Sequence, residues 1–223
     1  MKVYHYTSLD NWALIKKGSW KSRDKSGLGA IRRVGQVHED ALDTGAVFAL
    51  LEPVPKNWTH NTQFPDIWFH LTRDIGRMLL EIQVDESDKN VFVVDRGEIE
   101  KFLYKIGSEG GGKEIYNERK IAEGKYIGSK VPIAEYLRHP ERYPFVLPEV
   151  IFTDDIPIEK ISISAEQPLM QELLDKEVGE TGSYRDSVIR QIKEIPELKA
   201  WYETKYLGKK NESPSSEIGG KLR

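Results

Sequence analysis

The chain has 223 residues, 39% of them apolar and 31% charged, a length and balance that suit one main folded domain with room for an appendage. A formal net charge of −3 argues against obligatory capture of a nucleic-acid backbone, although nucleic acid stays open as a substrate. The absence of cysteine excludes disulfides, cysteine-ligated zinc and thiol nucleophiles together.

In chain order, Lys2 to Tyr6 is a run of β-formers and predicts a short first strand. Ser8 and Asp10 then supply a helix start, Leu9, Trp12, Ala13 and Ile15 supply an apolar face, and Gly18 supplies a stop, so a helix is expected over 8–17. No signal peptide is indicated at this end, and no apolar run approaches the ~20 residues of a membrane helix. A cytoplasmic location without a membrane partner follows as an expectation.

Residues 19–44 contain "SRDKSGLGAIRRVG" and lack periodicity, which predicts a long surface loop of the kind that often carries function. "GAVFALLEP" predicts a buried strand closed by Pro53, and "FPDIWFHLTRDI" a helix. In "RMLLEIQVD" the residues Leu80, Ile82 and Val84 alternate, and "NVFVVD" follows after a polar turn, so a pair of strands is expected here. "GEIEKFLYKI" places Ile99, Phe102, Leu103 and Ile106 on one helical face. "GSEGGGKE" reads as a flexible break, and short helical pieces with Pro-bounded turns are expected from there to Pro148. "PEVIFTDDIPIEKISIS" predicts two strands around a "DDIP" turn, and 165–207 is helical in pattern with an interruption at Pro196. The expected division is a main domain over 1–164, a helical C-terminal extension over 165–207 and a polar tail over 208–223.

Several motifs fail on chemistry. "GSEGGGK" has the spacing of a phosphate-binding loop, but Glu114 stands where a magnesium-binding hydroxyl belongs, and a predicted helix precedes it instead of a strand. His38, His60, His70 and His139 have no metal-ligand spacing, no G-x-S-x-G elbow is present, and no G-x-G-x-x-G follows a strand. His5 remains. A histidine among aromatics on a strand suits a structural role, yet Thr7 shares its sheet face and both precede a helix N-terminus that favours a diphosphate.

"VYHYTSLDNWALIKKGSW" resembles the opening of ADP-ribosyltransferases of the diphtheria-toxin and poly-ADP-ribose-polymerase type, whose first strand carries Tyr-His-x-Thr. "LPEVIFTDDIPIEKISI" resembles the late strand of that fold, opened by a catalytic glutamate, in a form also seen in the DNA-modifying DarT-like branch. The resemblance spans about three quarters of the chain and implies an α+β fold, an ADP-ribosyltransferase-like split antiparallel β-sheet core with flanking helices. It also implies NAD as substrate, release of nicotinamide, and ADP-ribose transfer to a protein or nucleic-acid acceptor, a chemistry common among toxin-like proteins.

By that resemblance His5 bonds a ribose hydroxyl of NAD, with Tyr6 and Thr7 beside it, and Glu149 grips the nicotinamide ribose. The stacking aromatic is Phe48 or Trp58, since no tyrosine stands in the expected strand. From the residues alone, Arg32 and Arg33 in the early basic loop are candidates to neutralise the NAD diphosphate or an acidic substrate, and Glu52 is a second candidate carboxylate, followed by Pro53. Taken alone, Glu149 reads as a solvated residue at a strand start. The alternatives are an RNA 2'-phosphotransferase-like enzyme and a non-catalytic module binding NAD, ADP-ribose or a protein.

Overall fold

A computed structural model describes residues 1–17, 27–28, 46–85, 87–109, 113–176 and 182–208. Contacts divide the chain into two units, Met1–Ser164 and Ala165–Arg223. The first runs β1 (Lys2–Thr7), α1 (Leu9–Lys17), β2 (Gly27–Leu28), β3 (Val47–Ala49), α2 (Lys56–Thr59), α3 (Ile67–Ile75), β4 (Met78–Gln83), β5 (Val91–Asp95), α4 (Gly97–Glu109), α5 (Lys113–Gly128), β6 (Val131–Pro132), α6 (Ile133–Arg138), β7 (Pro148–Phe152), β8 (Ile156–Pro157) and β9 (Ile161–Ile163). The second holds α7 (Pro168–Lys176), α8 (Gly182–Glu194) and α9 (Pro196–Trp201), which passes into a π-helical turn over Tyr202–Leu207. Pro196 starts α9, where its missing N–H costs nothing.

All described strand pairs are antiparallel. One sheet has the order β1-β4-β9 and another β3-β7-β5-β6, while β2 and β8 form a separate pair. Leu79, Leu80 and Ile82 bury both faces of β4, and Val150, Ile151 and Phe152 do the same for β7. Such near-continuous apolar runs belong to interior strands, and both strands have partners on each edge. The two sheets meet at one bridge, where Tyr4 and Leu50 exchange backbone hydrogen bonds of 2.8 and 2.7 Å.

The expected pair of strands forms as β4 and β5, but the two do not lie side by side: β4 joins the first sheet and β5 the second. Asp85 bends the connection by accepting from both the backbone N–H and the hydroxyl of Ser87, which turns the chain off the sheet before β5 begins. The "GSEGGGKE" segment is likewise not a break throughout. α4 runs on through Gly107 to Glu109 and α5 starts at Lys113, with 110–112 outside the described residues. α5 itself is a full helix in place of the short pieces expected there.

Cross-strand partners share a face, so Phe48, Ile151 and Phe92 form one row and Val94 and Glu149 the next. α4 and α5 cover this face. Ile99, Phe102, Ala122 and Tyr126 from the helices pack with Ala46, Val94 and Ile151 from the sheet, and Phe48, Phe92 and Leu103 pack against them. Each such large side chain, fully buried, stabilises the fold by about 1.5–3 kcal/mol.

Candidate functional site

β1 delivers His5 to the junction between the sheets. Its backbone pairs with Leu80, while its ring reaches across so that Nδ1 lies 2.7 Å from the carbonyl oxygen of Phe48. A carbonyl only accepts, so Nδ1 carries the proton and, in the neutral ring, Nε2 is an acceptor. His5 is 8% exposed. Ser8 ends the strand and caps α1, accepting the N–H of Asn11 at 3.1 Å, which sets the helix start one residue beyond Thr7.

Glu149 sits in β7 opposite Val94 and is only 5% exposed. It is therefore not the solvated strand-start residue that its local sequence suggests, because α4 and α5 roof that face of the sheet. The Tyr126 hydroxyl, from α5, donates to Glu149 Oε2 at 2.7 Å. Arg96 and Glu100 stand nearby as a 2.7 Å i,i+4 pair at the start of α4. Burial pushes the Glu149 carboxyl above the usual carboxylate range, although Arg96 and the Tyr126 hydrogen bond pull it down. Burial also works against the Arg96 charge, but Glu149 and Glu100 more than offset it and hold the guanidinium above its ordinary value. The Tyr126 hydroxyl is pushed well up by burial and by the adjacent Glu149.

The two residues before Glu149 are tied down on several sides. Asp95 Oδ1 accepts the N–H groups of Leu147 (3.0 Å) and Gly97 (2.9 Å), and Arg96 N–H donates to Leu147 O at 2.9 Å. Trp58 Nε1 donates to Pro148 O at 3.1 Å. A single buried carboxylate, Asp95, thus links the first turn of α4 to the entry of β7.

β3 relates His5 to Glu149. His5 bonds the Phe48 carbonyl, Phe48 faces Ile151, and Glu149 lies two residues back along β7. A strand spacing of about 4.8 Å and a rise of about 3.4 Å per residue put the Cα of Glu149 roughly 8 Å from that of Phe48.

Thr7 is 1% exposed and its Oγ1 has no hydrogen-bond partner among the described residues. Phe48 is half-buried against the core cluster. Tyr6 and Trp58, expected as ligand contacts, are both buried and hydrogen-bonded to backbone carbonyls. Tyr6 is buried, donates its hydroxyl to Pro53 O at 2.7 Å and meets Trp68 edge-on. Trp58 is 1% exposed, so neither ring face is open for stacking. Glu52 is exposed in the turn after β3. Arg32 and Arg33 lie outside the described residues.

Sequence reasoning missed Tyr126, Arg96, Glu100 and Asp95. A signal existed for two of them: Arg96 and Glu100 fall in phase with Ile99 and Leu103, at i, i+3, i+4 and i+7, so an ion pair occupies the apolar stripe of α4. Among the described residues no group of three or more His, Asp or Glu could hold a metal ion, and no helix is long and apolar enough to cross a membrane. No family model, curated protein or solved structure matches the chain.

Proposed function

We propose that this chain is an NAD-dependent ADP-ribosyltransferase built on a split-sheet fold of that type, releasing nicotinamide and passing ADP-ribose to a macromolecular acceptor. The observation that supports it is that His5 and Glu149, 144 positions apart in sequence, lie on β1 and β7, the two strands tied to the β3 segment where the two sheets join.

In this reading the bond between the ribose anomeric carbon and the nicotinamide nitrogen breaks, and its electron pair leaves with neutral nicotinamide. Positive charge builds on the sugar, as in glycoside chemistry. Glu149 accepts a hydrogen bond from the adjacent ribose hydroxyl and stabilises that charge. His5, with Nδ1–H committed to Phe48 O, offers Nε2 to another ribose hydroxyl. Phe48, half-buried beside the His5 contact, is the aromatic proposed to face nicotinamide. The acceptor oxygen or nitrogen then bonds the anomeric carbon and loses its proton; water in that place gives NAD hydrolysis. Glu149 is only 5% exposed, so this reading requires that residues other than Tyr126 give NAD access to it.

The burial of Glu149 favours one second reading, a module that binds NAD or ADP-ribose without turning it over. Nicotinamide release from NAD by the purified protein, beside its Glu149→Gln variant and with thermal shift on adding NAD, separates the two. Release that falls by about 100-fold or more in the variant supports the enzyme. Full release in the variant refutes it, and a thermal shift without release in either protein selects the binding module.

A further inference from the structure

We infer that Tyr126 is a positioning residue for Glu149: its hydroxyl holds Oε2, so that Oε1 is the oxygen left to take the nicotinamide ribose hydroxyl. The inference rests on the function proposed above and names a residue of that site which no strand supplies.

Three observations carry it. The contact is short, 2.7 Å, and both partners are buried. Both are also anchored to one frame. Ser129 Oγ donates to Tyr126 O at 2.6 Å and accepts from Asp95 N at 2.8 Å, while the Asp95 carboxylate holds Leu147, two residues before Glu149. The chain of contacts runs from the carboxylate through α5 and Asp95 back to the strand bearing that carboxylate, which fixes the phenol and the acid relative to each other.

The third observation is the setting. The Tyr126 ring packs among Val94, Ile99, Phe102, Ala122 and Ile151. Apolar residues of similar volume would fill this place without the cost of desolvating a carboxylate, so stability alone does not account for a phenol and an acid there. A latch that simply blocked the acid would sit on an element with few anchors. Tyr126 does not, and over-determined geometry is what orienting a reacting group requires.

Among the described residues, the charged and titratable groups that act on Glu149 are Arg96 and Glu100 from the start of α4 and Tyr126 from α5. The test compares wild type with Tyr126→Phe, which keeps the ring and removes the donor. Steady-state nicotinamide release should show kcat down about tenfold, the equivalent of one lost hydrogen bond of about 1.4 kcal/mol, with KM for NAD changed by less than about twofold. The acid limb of the kcat profile should move to higher pH, because a carboxylate stripped of a donor holds its proton more tightly.

Unchanged kcat and acid limb overturn the inference, and so does faster release, which would make the hydroxyl a latch. Carbon-13 titration of the Glu149 carboxyl reads the contact without turnover: a titration moved upward in Tyr126→Phe supports it, and an unmoved one overturns it. An inactive wild type with a moved titration brings down the functional reading, and with it Tyr126's part in the reaction, while leaving the contact. An active wild type with an indifferent variant brings down only the inference. Should Tyr126→Phe not fold, Ser129→Ala, which loosens the anchor of Tyr126, carries the kinetic test with the same signs and a smaller fall in kcat.

Discussion

Glu149 is the residue at which fold and chemistry compete. Burial raises its carboxyl above the ordinary carboxylate range, and Arg96 with the Tyr126 hydroxyl only partly restores it. A folded-state value above the unfolded one means that the folded protein binds this proton more tightly. Stability from the group is then full below the unfolded value, about 4.3 for a glutamate, and is lost as pH rises through the folded value. Glu149→Gln is therefore expected to melt higher than wild type at neutral pH, by roughly 2–4 °C for each kcal/mol of relieved desolvation in a domain of this size. The gap should close as the pH is lowered through the carboxylate range. Thermal melts at a series of pH values check this, and a variant that melts lower at neutral pH would show that Arg96 gains more from the charge than burial costs. The strand position of Glu149 was legible from the sequence around it, but its burial was not. Tyr126 was not legible either, because nothing within a turn of it in α5 marks it as facing an acid on a strand.

Among the elements, the junction of β1, α1 and α3 shows how a local signal acquires a tertiary purpose. Gly76 ends α3 at φ +112°, and a Cβ there would come within 2.5 Å of the backbone of Thr7 and Ser8, directly behind His5. Backbone cannot yield as a flexible side chain does, and a left-handed φ strains any other residue. Gly76→Ala should cost on the order of 2–4 kcal/mol, a disfavoured conformation plus a clash, read as a lower urea midpoint at unchanged slope. A variant as stable as wild type would mean that the chain passes β1 with room to spare. The Ser8 cap and the helix it starts were legible, since capping acts over three residues. The pairing of β4 with β1 and β9, in place of β5, was not. Alternation tells which residues of a strand face inward and is silent on which strand lies alongside.

At the scale of the first unit, two antiparallel sheets are joined through the Tyr4–Leu50 bridge, and each has an interior strand with both faces apolar. Local opening is least frequent where backbone hydrogen bonds are covered on both sides. Amide hydrogen exchange should accordingly be slowest in β4 and β7, and fastest in the edge strands β6 and β9 and in the β2–β8 pair, as deuterium uptake by mass spectrometry would show. Exchange in β4 as fast as in β9 would mean that the first sheet is not a stable core.

The amino-acid order settled the kinds of element and many of their ends, the mixed α and β character of the chain, and the strand positions of His5 and Glu149. Periodicity, capping and turn chemistry act over a few residues and leave a readable pattern. The separation of β4 from β5, the burial of Glu149, the commitment of Trp58 to the carbonyl before it, and the convergence of Tyr126, Arg96 and Glu149 were decided only by the folded chain. Each depends on contacts between segments far apart in sequence, whose energies arise from desolvation and packing once the helices lie on the sheet, and such energies write no local pattern.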